Sequence, residues 1–336
     1  MTPPPRLPAP DRGPLTDAVR GALPSHDPRR RARLLDTVVR SAPAADPWGE
    51  DLQTALYTLY ELHYRGFDGV PDEREWDPEV LRARAALEAP FLRALRDGTA
   101  GAPRTAEAAF APLLEEPVDL SGSAGRRLEV DGELWQLREY AALRSLYHLK
   151  EADPHAWVIP RLTGRAKAAM VAVEYDEFGA GRAERIHARL FADLMVDLGL
   201  DPAYGHYLDR APAPALATVN LMSLFGLHRA LRGALVGHFA CVEITSSPGS
   251  RRLAHAMRRC GAGPAAEHFY AEHVEADAVH EQIVRHEVVA GLIADEPDTE
   301  PDVAFGCAAT LLTEDRLAAH LNRHWSAGRS ALRPNA

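Results

Sequence analysis

The octapeptide His273-Val-Glu-Ala-Asp277-Ala-Val-His280 sets two imidazoles and a carboxylate at positions i, i+4 and i+7. At that spacing all three share one face of a helix with 3.6 residues per turn. Phe269, Ala276 and Val284 fall on the same stripe, so the polar trio projects into the apolar side of the helix. Buried groups of this kind must be paired or bound to a metal, and the chain is limited to folds in which other elements bring partners to that stripe. The two imidazoles lie roughly 10 Å apart along the axis with Asp277 between them, which suits two metal ions about 4 Å apart better than one.

The rest of the 336-residue chain narrows the class. With 46% hydrophobic residues there is enough apolar surface for a substantial core. The formal net charge is -10 and the basic residues are dispersed apart from Arg29, Arg30 and Arg31, so no nucleic-acid groove is expected. Cys241, Cys260 and Cys307 are odd in number and far apart, which argues for a reducing compartment and against a disulfide framework. No apolar run reaches the length of a membrane span, and the Pro-rich start lacks the apolar segment of a secretory signal. A cytoplasmic protein with no membrane partner is expected.

Residues 1–28 hold eight of the 26 prolines and read as a flexible arm. Helical patterns over 34–39, 51–64 and 78–95 give an N-terminal helical extension spanning 29–120. The Gly- and Ser-containing stretch 117–132 reads as a linker. Beyond it the periodicity is almost continuously helical over 133–151, 160–177, 183–198, 215–224, 227–245, 250–260, 264–293 and 303–324, a helical domain of about 130–330. Few segments show the strict alternation of a strand, no GxGxxG, P-loop or internal repeat appears, and the fold class is all-α.

Four other ionisable residues interrupt apolar stripes as the octapeptide does. Glu243 follows Val236 and Phe239 at i-7 and i-4, and Glu177 follows Met170 and Val173 at the same intervals. Glu151 closes the run Tyr140, Leu143, Tyr147, and His187 shares its face with Leu190, Phe191 and Leu194. Grouped with the octapeptide, Glu151, Glu177, Glu243 and Asp277 carry four negative charges that balance two divalent cations, while neutral His187, His273 and His280 add nitrogen donors. A carboxylate and imidazole set without thiolate favours iron or manganese, and iron is the expectation. A rival grouping uses Glu184-Arg-Ile-His187 as an ExxH beside Asp277-Ala-Val-His280 as a DxxH, the pattern of a degenerate ferritin-type bundle that binds iron without catalysis.

The segments Lys150-Glu-Ala-Asp-Pro-His155, Asp176-Glu-Phe-Gly-Ala-Gly-Arg182 followed by His187, the isolated Glu243 and the final HxxxDxxH together resemble the haem-oxygenase-like di-iron oxidases, also called iron-containing redox enzymes. The resemblance spans about residues 133–325. It implies a haem-oxygenase-like helical bundle in which Glu151, Glu177, His187, Glu243, His273, Asp277 and His280 hold two iron ions, and it ranks Glu177 above Glu184. It further implies O2 as co-substrate and a small amino acid or amine as substrate in natural-product biosynthesis. The reaction would be desaturation, C–H functionalisation, cyclisation or N-oxygenation. A homodimer built on the N-terminal helices and an external electron donor are compatible with it.

Other polar residues carry weaker signals. Glu61 and His63 fall on opposite helix faces and are not expected to chelate. His148 and His155 flank Glu151 and read as one packed and one loop histidine, Cys241 as a small core residue, and His286, Lys167 and Arg161 as surface charges.

Overall fold

The computed structural model describes residues 4–115 and 122–334, and all regular structure among them is helical. The N-terminal part comprises α1 (Pro14–Ala22), α2 (Pro28–Ser41), α3 (Glu50–Glu61), α4 (Pro78–Gly98) and the short α5 (Ala106–Phe110). Then come α6 (Ala124–Val130), α7 (Leu134–His148), the single turn α8 (Asp153–Ala156), α9 (Gly164–Glu177) and α10 (His187–Asp197). The remainder is α11 (Ala213–Leu227), α12 (Arg232–Arg259), α13 (Pro264–Ile283), α14 (Ala290–Asp295) and α15 (Glu300–Ser326).

Two expectations need correction. Residues 14–22 are a helix and not part of a flexible arm: Pro14 opens α1, where its missing N–H costs nothing, and Leu15, Val19 and Ala22 form a buried stripe. Burying Leu15, Val19 and Leu23 contributes about 1.5–3 kcal/mol each, which outweighs the local proline content. Just ahead of α1, buried Arg12 donates to the carbonyls of Leu208 and Ala211, each at 2.8 Å. The stretch expected as a linker contains α6, capped by the Ser123 side chain and carrying fully buried Leu128; residues 117–121 lie outside the described residues.

The 28-residue α12 packs along both α13 and α15 and forms the axis of the helical domain. Its contact with α15 is backbone against backbone. A Cβ on Gly237 would run into the Val303 carbonyl, and one on Gly306 into the Ala234 carbonyl, so only glycine permits this approach. Helix α12 runs through Pro248, where the sequence pattern implies a break, because packing against its neighbours holds both halves in line. Pro248 has no N–H, so the carbonyl of Ile244 loses its helical donor. Helix α13 continues into α14 through a π-helical segment, Val284–Val289.

The N-terminal helices join the same hydrophobic core and are tied to the rest by buried polar contacts. Lys150, 2% exposed, forms an ion pair of 2.8 Å with fully buried Glu61 on α3 and lies 4.0 Å from the Tyr64 ring centroid. The Tyr204 hydroxyl also donates to Glu61, at 2.6 Å. Asn220 on α11 donates to the backbone and side-chain oxygens of Gln53, each at 2.8 Å.

Candidate metal centre

The seven candidate side chains are delivered by one turn and four helices. Glu151 sits in the turn after α7, held by Lys150 below it and by Ala152 in the left-handed region at φ 73°. Glu177 is the last residue of α9. Immediately afterwards Gly179, Ala180 and Gly181 all take positive φ and reverse the chain, so that α10 begins at His187. A Cβ on Gly179 would sit 2.7 Å from the backbone of Arg185 and Ile186, hence a glycine at this reversal. Glu243 comes from α12, and His273, Asp277 and His280 from α13, which packs against α12, α10 and α9.

All seven are buried, with exposures of 2–7%. Ligand atoms of Glu151, Glu177, His187 and His273 lie within 4.8 Å of one another, as do those of Glu177, Glu243 and His280, so Glu177 belongs to both groups. His187 Nδ1 is 2.7 Å from Glu177 Oε2, and His273 Nε2 is 3.8 Å from Glu151 Oε2. On the other side His280 Nδ1 lies 3.3 Å from Glu177 Oε1, 3.6 Å from Glu243 Oε2 and 3.8 Å from Asp277 Oδ1. A small cavity of about 20 Å³ touches Glu151, Glu177, Glu243, His273 and Asp277 together.

The donor atoms face each other without satisfying one another. Glu151 Oε2, His187 Nδ1, Glu243 Oε2, His273 Nε2, Asp277 Oδ2 and His280 Nδ1 are inaccessible to solvent and make no hydrogen bond of acceptable geometry. Six orphaned atoms around one small cavity would cost several kcal/mol if nothing bound them. Lone pairs converging on common points from carboxylates and imidazoles are what a pair of cations requires, and the residues fit iron.

Without cations, protons carry the compensating charge. Burial alone would lower the His273 and His280 pKa values; the Glu151 carboxylate raises His273 to about 10, and Glu177 with Glu243 raises His280 to about 11. Burial opposes ionisation of Glu177, but His187 and His280 hold it at about 2. Glu243 is pushed up to about 8, chiefly by burial and despite the nearby His280. Cations entering this site therefore displace protons.

Neighbouring groups orient the ligands. His273 Nδ1 donates to the Phe269 carbonyl at 2.7 Å, which leaves Nε2 bearing the lone pair that points inwards. His148 Nδ1 lies 2.7 Å from Glu151 Oε1, so the histidine read as merely packed steers a candidate ligand. Ser246 hydrogen-bonds Asp277, and Asp176 approaches His280 Nε2 at 3.5 Å.

Glu184 is exposed and belongs to neither group, because the chain reverses before α10 and Glu184 is not on the helix that carries His187. One residue is misread in the sequence, His155, and one is missed, Glu174. His155, expected in a loop, is 1% exposed with both nitrogens unpartnered; it lines the cavity, and burial lowers its pKa to about 4. Glu174 is 2% exposed with both oxygens unpartnered, and burial raises its pKa to about 9. Its position one turn before Glu177, on the stripe of Met170 and Val173, was the available signal.

Fold and site together define a helical protein with a buried carboxylate and histidine centre able to hold metal. Residues 138–315, more than half of the chain, match the family described as iron-containing redox enzyme, and the chain belongs to that family. This agrees with the haem-oxygenase-like resemblance of the motifs. No curated protein matches the chain. No helix among the described residues is long and apolar enough to cross a membrane.

Proposed function

We propose that the chain is an O2-dependent non-haem di-iron oxidase that transforms a small amino acid or amine in natural-product biosynthesis. The observation that carries this reading is the pair of ligand groups sharing Glu177, with six buried donor atoms left unpaired around them. Glu151, His187 and His273 would hold one iron, Glu243, Asp277 and His280 the other, with Glu177 between them. Bound ferrous iron supplies the electrons that activate O2 for desaturation, C–H functionalisation, cyclisation or N-oxygenation.

The protein's own contribution is to position and to exclude water. His148 and the Phe269 carbonyl fix the orientations of Glu151 and His273. Phe239, Val242 and Tyr147 wall the cavity, so that only a small reactant fits beside the carboxylates. An external electron donor would return the centre to its reduced state after turnover.

The test is anaerobic titration with Fe(II), followed by O2 electrode measurements with a panel of amino acids and amines. Two equivalents of iron per chain and substrate-dependent O2 uptake are expected. Tight iron uptake with O2 consumption indifferent to every small molecule would replace the proposal with a ferritin-type binding protein.

A further inference from the structure

His155 lies beside the metal centre, 1% exposed, and both of its ring nitrogens are inaccessible to solvent and make no hydrogen bond. It belongs to the short α8, where its backbone N–H donates to the Ala152 carbonyl at 2.8 Å, so the chain that turns at Glu151 presents it shortly afterwards. Its ring lines the cavity that touches Glu151, Glu177, Glu243, His273 and Asp277, yet it belongs to neither ligand group. Other rings hold it there: the centroids of Phe239, His238 and Tyr147 lie 4.7, 5.2 and 5.9 Å away. Such packing fixes the plane of the imidazole and leaves both nitrogens free.

His238 does not supply the missing partner. The Thr310 hydroxyl donates to the Gly306 carbonyl at 2.7 Å and so offers only a lone pair to His238 Nδ1, 2.8 Å away. Nδ1 of His238 therefore carries the hydrogen, and its Nε2, an acceptor, is likewise unpartnered. Burial keeps both rings neutral: it lowers His155 to about 4 against the pull of Glu177 and Glu151, and His238 well below the usual imidazole value. Neutrality suits the place, because a protonated His155 would pair with those carboxylates and compete with cations for them.

In either tautomer a neutral imidazole keeps one N–H, and a buried N–H without an acceptor is a standing cost. An orphaned donor of this kind in a folded protein marks a catalytic role or a molecule that binds against it. The cavity, about 20 Å³, has room for a water-sized molecule. O2 is within that limit, and it becomes a hydrogen-bond acceptor as it gains electrons. A donor already aimed at such a molecule stabilises the new charge without reorganising.

Resting on the di-iron reading above, we propose that His155 is a catalytic residue and not a metal ligand: its ring N–H donates to the small oxidant in the cavity and stabilises the negative charge that the oxidant acquires. Phe239 and His238 hold the ring plane from behind.

Nitric oxide is the probe, a diatomic that binds ferrous iron, added without O2 to the full chain loaded with Fe(II). Infrared spectroscopy reads the N–O stretching band in H2O and D2O, and visible absorption reads affinity. In the parent protein the band should shift on transfer to D2O. His155→Phe keeps a stacked ring and removes the donor; it should move the band to higher frequency, abolish the D2O shift and weaken nitric oxide about 10-fold. His155→Gln, which restores an N–H, should recover part of each change. Both variants should retain two irons by metal analysis. The metal-free His155→Phe protein should have a urea midpoint at least as high as the parent's, since an unpaired polar group has been replaced by an apolar one, a combination that a structural role does not give. Loss of iron from His155→Phe would make the residue a ligand and overturn the proposal. So would an unchanged band, a D2O shift that survives in His155→Phe, or a parent protein that binds iron but no nitric oxide. A parent protein that retains no iron would sink the di-iron reading, and this proposal with it.

Discussion

Lys150→Met tests whether the N-terminal helices hold the metal centre in place. The Lys150 ammonium and the Glu61 carboxylate are 2.8 Å apart, with side-chain exposures of 1% and 0%. At an effective dielectric of about 20 their attraction is about 6 kcal/mol, most of which offsets the desolvation of the two ions. Removing the ammonium alone leaves Glu61 charged and buried, with the Tyr204 hydroxyl at 2.6 Å, the Tyr57 hydroxyl and the Arg65 N–H at 3.3 Å as its remaining support. Breaking one side of a buried pair costs about 3–5 kcal/mol, and the surviving hydrogen bonds place this case near 3. Lys150→Met with Glu61→Gln should recover at least about 1 kcal/mol, since the uncompensated charge is gone. Urea denaturation of the metal-free proteins measures both values. Lys150 immediately precedes Glu151 in the same turn, so the single variant should also bind iron more weakly. A loss under about 1 kcal/mol, or a double variant less stable than the single one, would refute the reasoning.

Three other outcomes follow from the site. Metal binding at pH 7 should release about two to three protons per chain, because His273, His280 and Glu243 are held protonated without cations; titration in weak buffer that shows no release would contradict this. Glu177→Ala should lose both irons, whereas Glu184→Ala should keep two by metal analysis, and the reverse result would move the centre to the ferritin-type grouping. Glu174 keeps its proton in the folded state up to about pH 9, whereas the unfolded chain releases it near the ordinary carboxylate value of 4.5, so above that value the folded state binds more protons and stability falls as pH rises. Glu174→Gln should remove that slope, and its advantage in metal-free urea melts should grow by up to about 1.4 kcal/mol per pH unit between those limits; equal pH profiles would show that Glu174 ionises normally.

Periodicity is local, and what depends on it was readable. The stripe through Phe269, His273, Asp277, His280 and Val284 exists because consecutive turns of one helix stack, so the sequence alone placed those groups on a common face. The same holds for Glu177 below Met170 and Val173 and for Glu243 below Phe239. The Glu184 and His187 pairing failed because it assumed one helix, whereas Glu184 lies in a 3-10 turn that the non-helical Ile186 separates from α10. Pro248 and the N-terminal prolines failed in the opposite sense, since local propensity forecast breaks that tertiary packing overrides.

Sequence by itself determined the all-helical class, the apolar faces and the seven residue types able to ligate cations. Tertiary structure decided that Glu177 stands between two groups, that His148 steers Glu151, that His155 and Glu174 are buried beside the cavity, and that α3 holds the turn carrying Glu151. Side-chain spacing along one helix is set by covalent geometry and repeats every few residues. Convergence across helices depends on packing among residues distant in the chain, 89 positions apart for Glu61 and Lys150 and 199 for Arg12 and Ala211, and no local pattern encodes that distance.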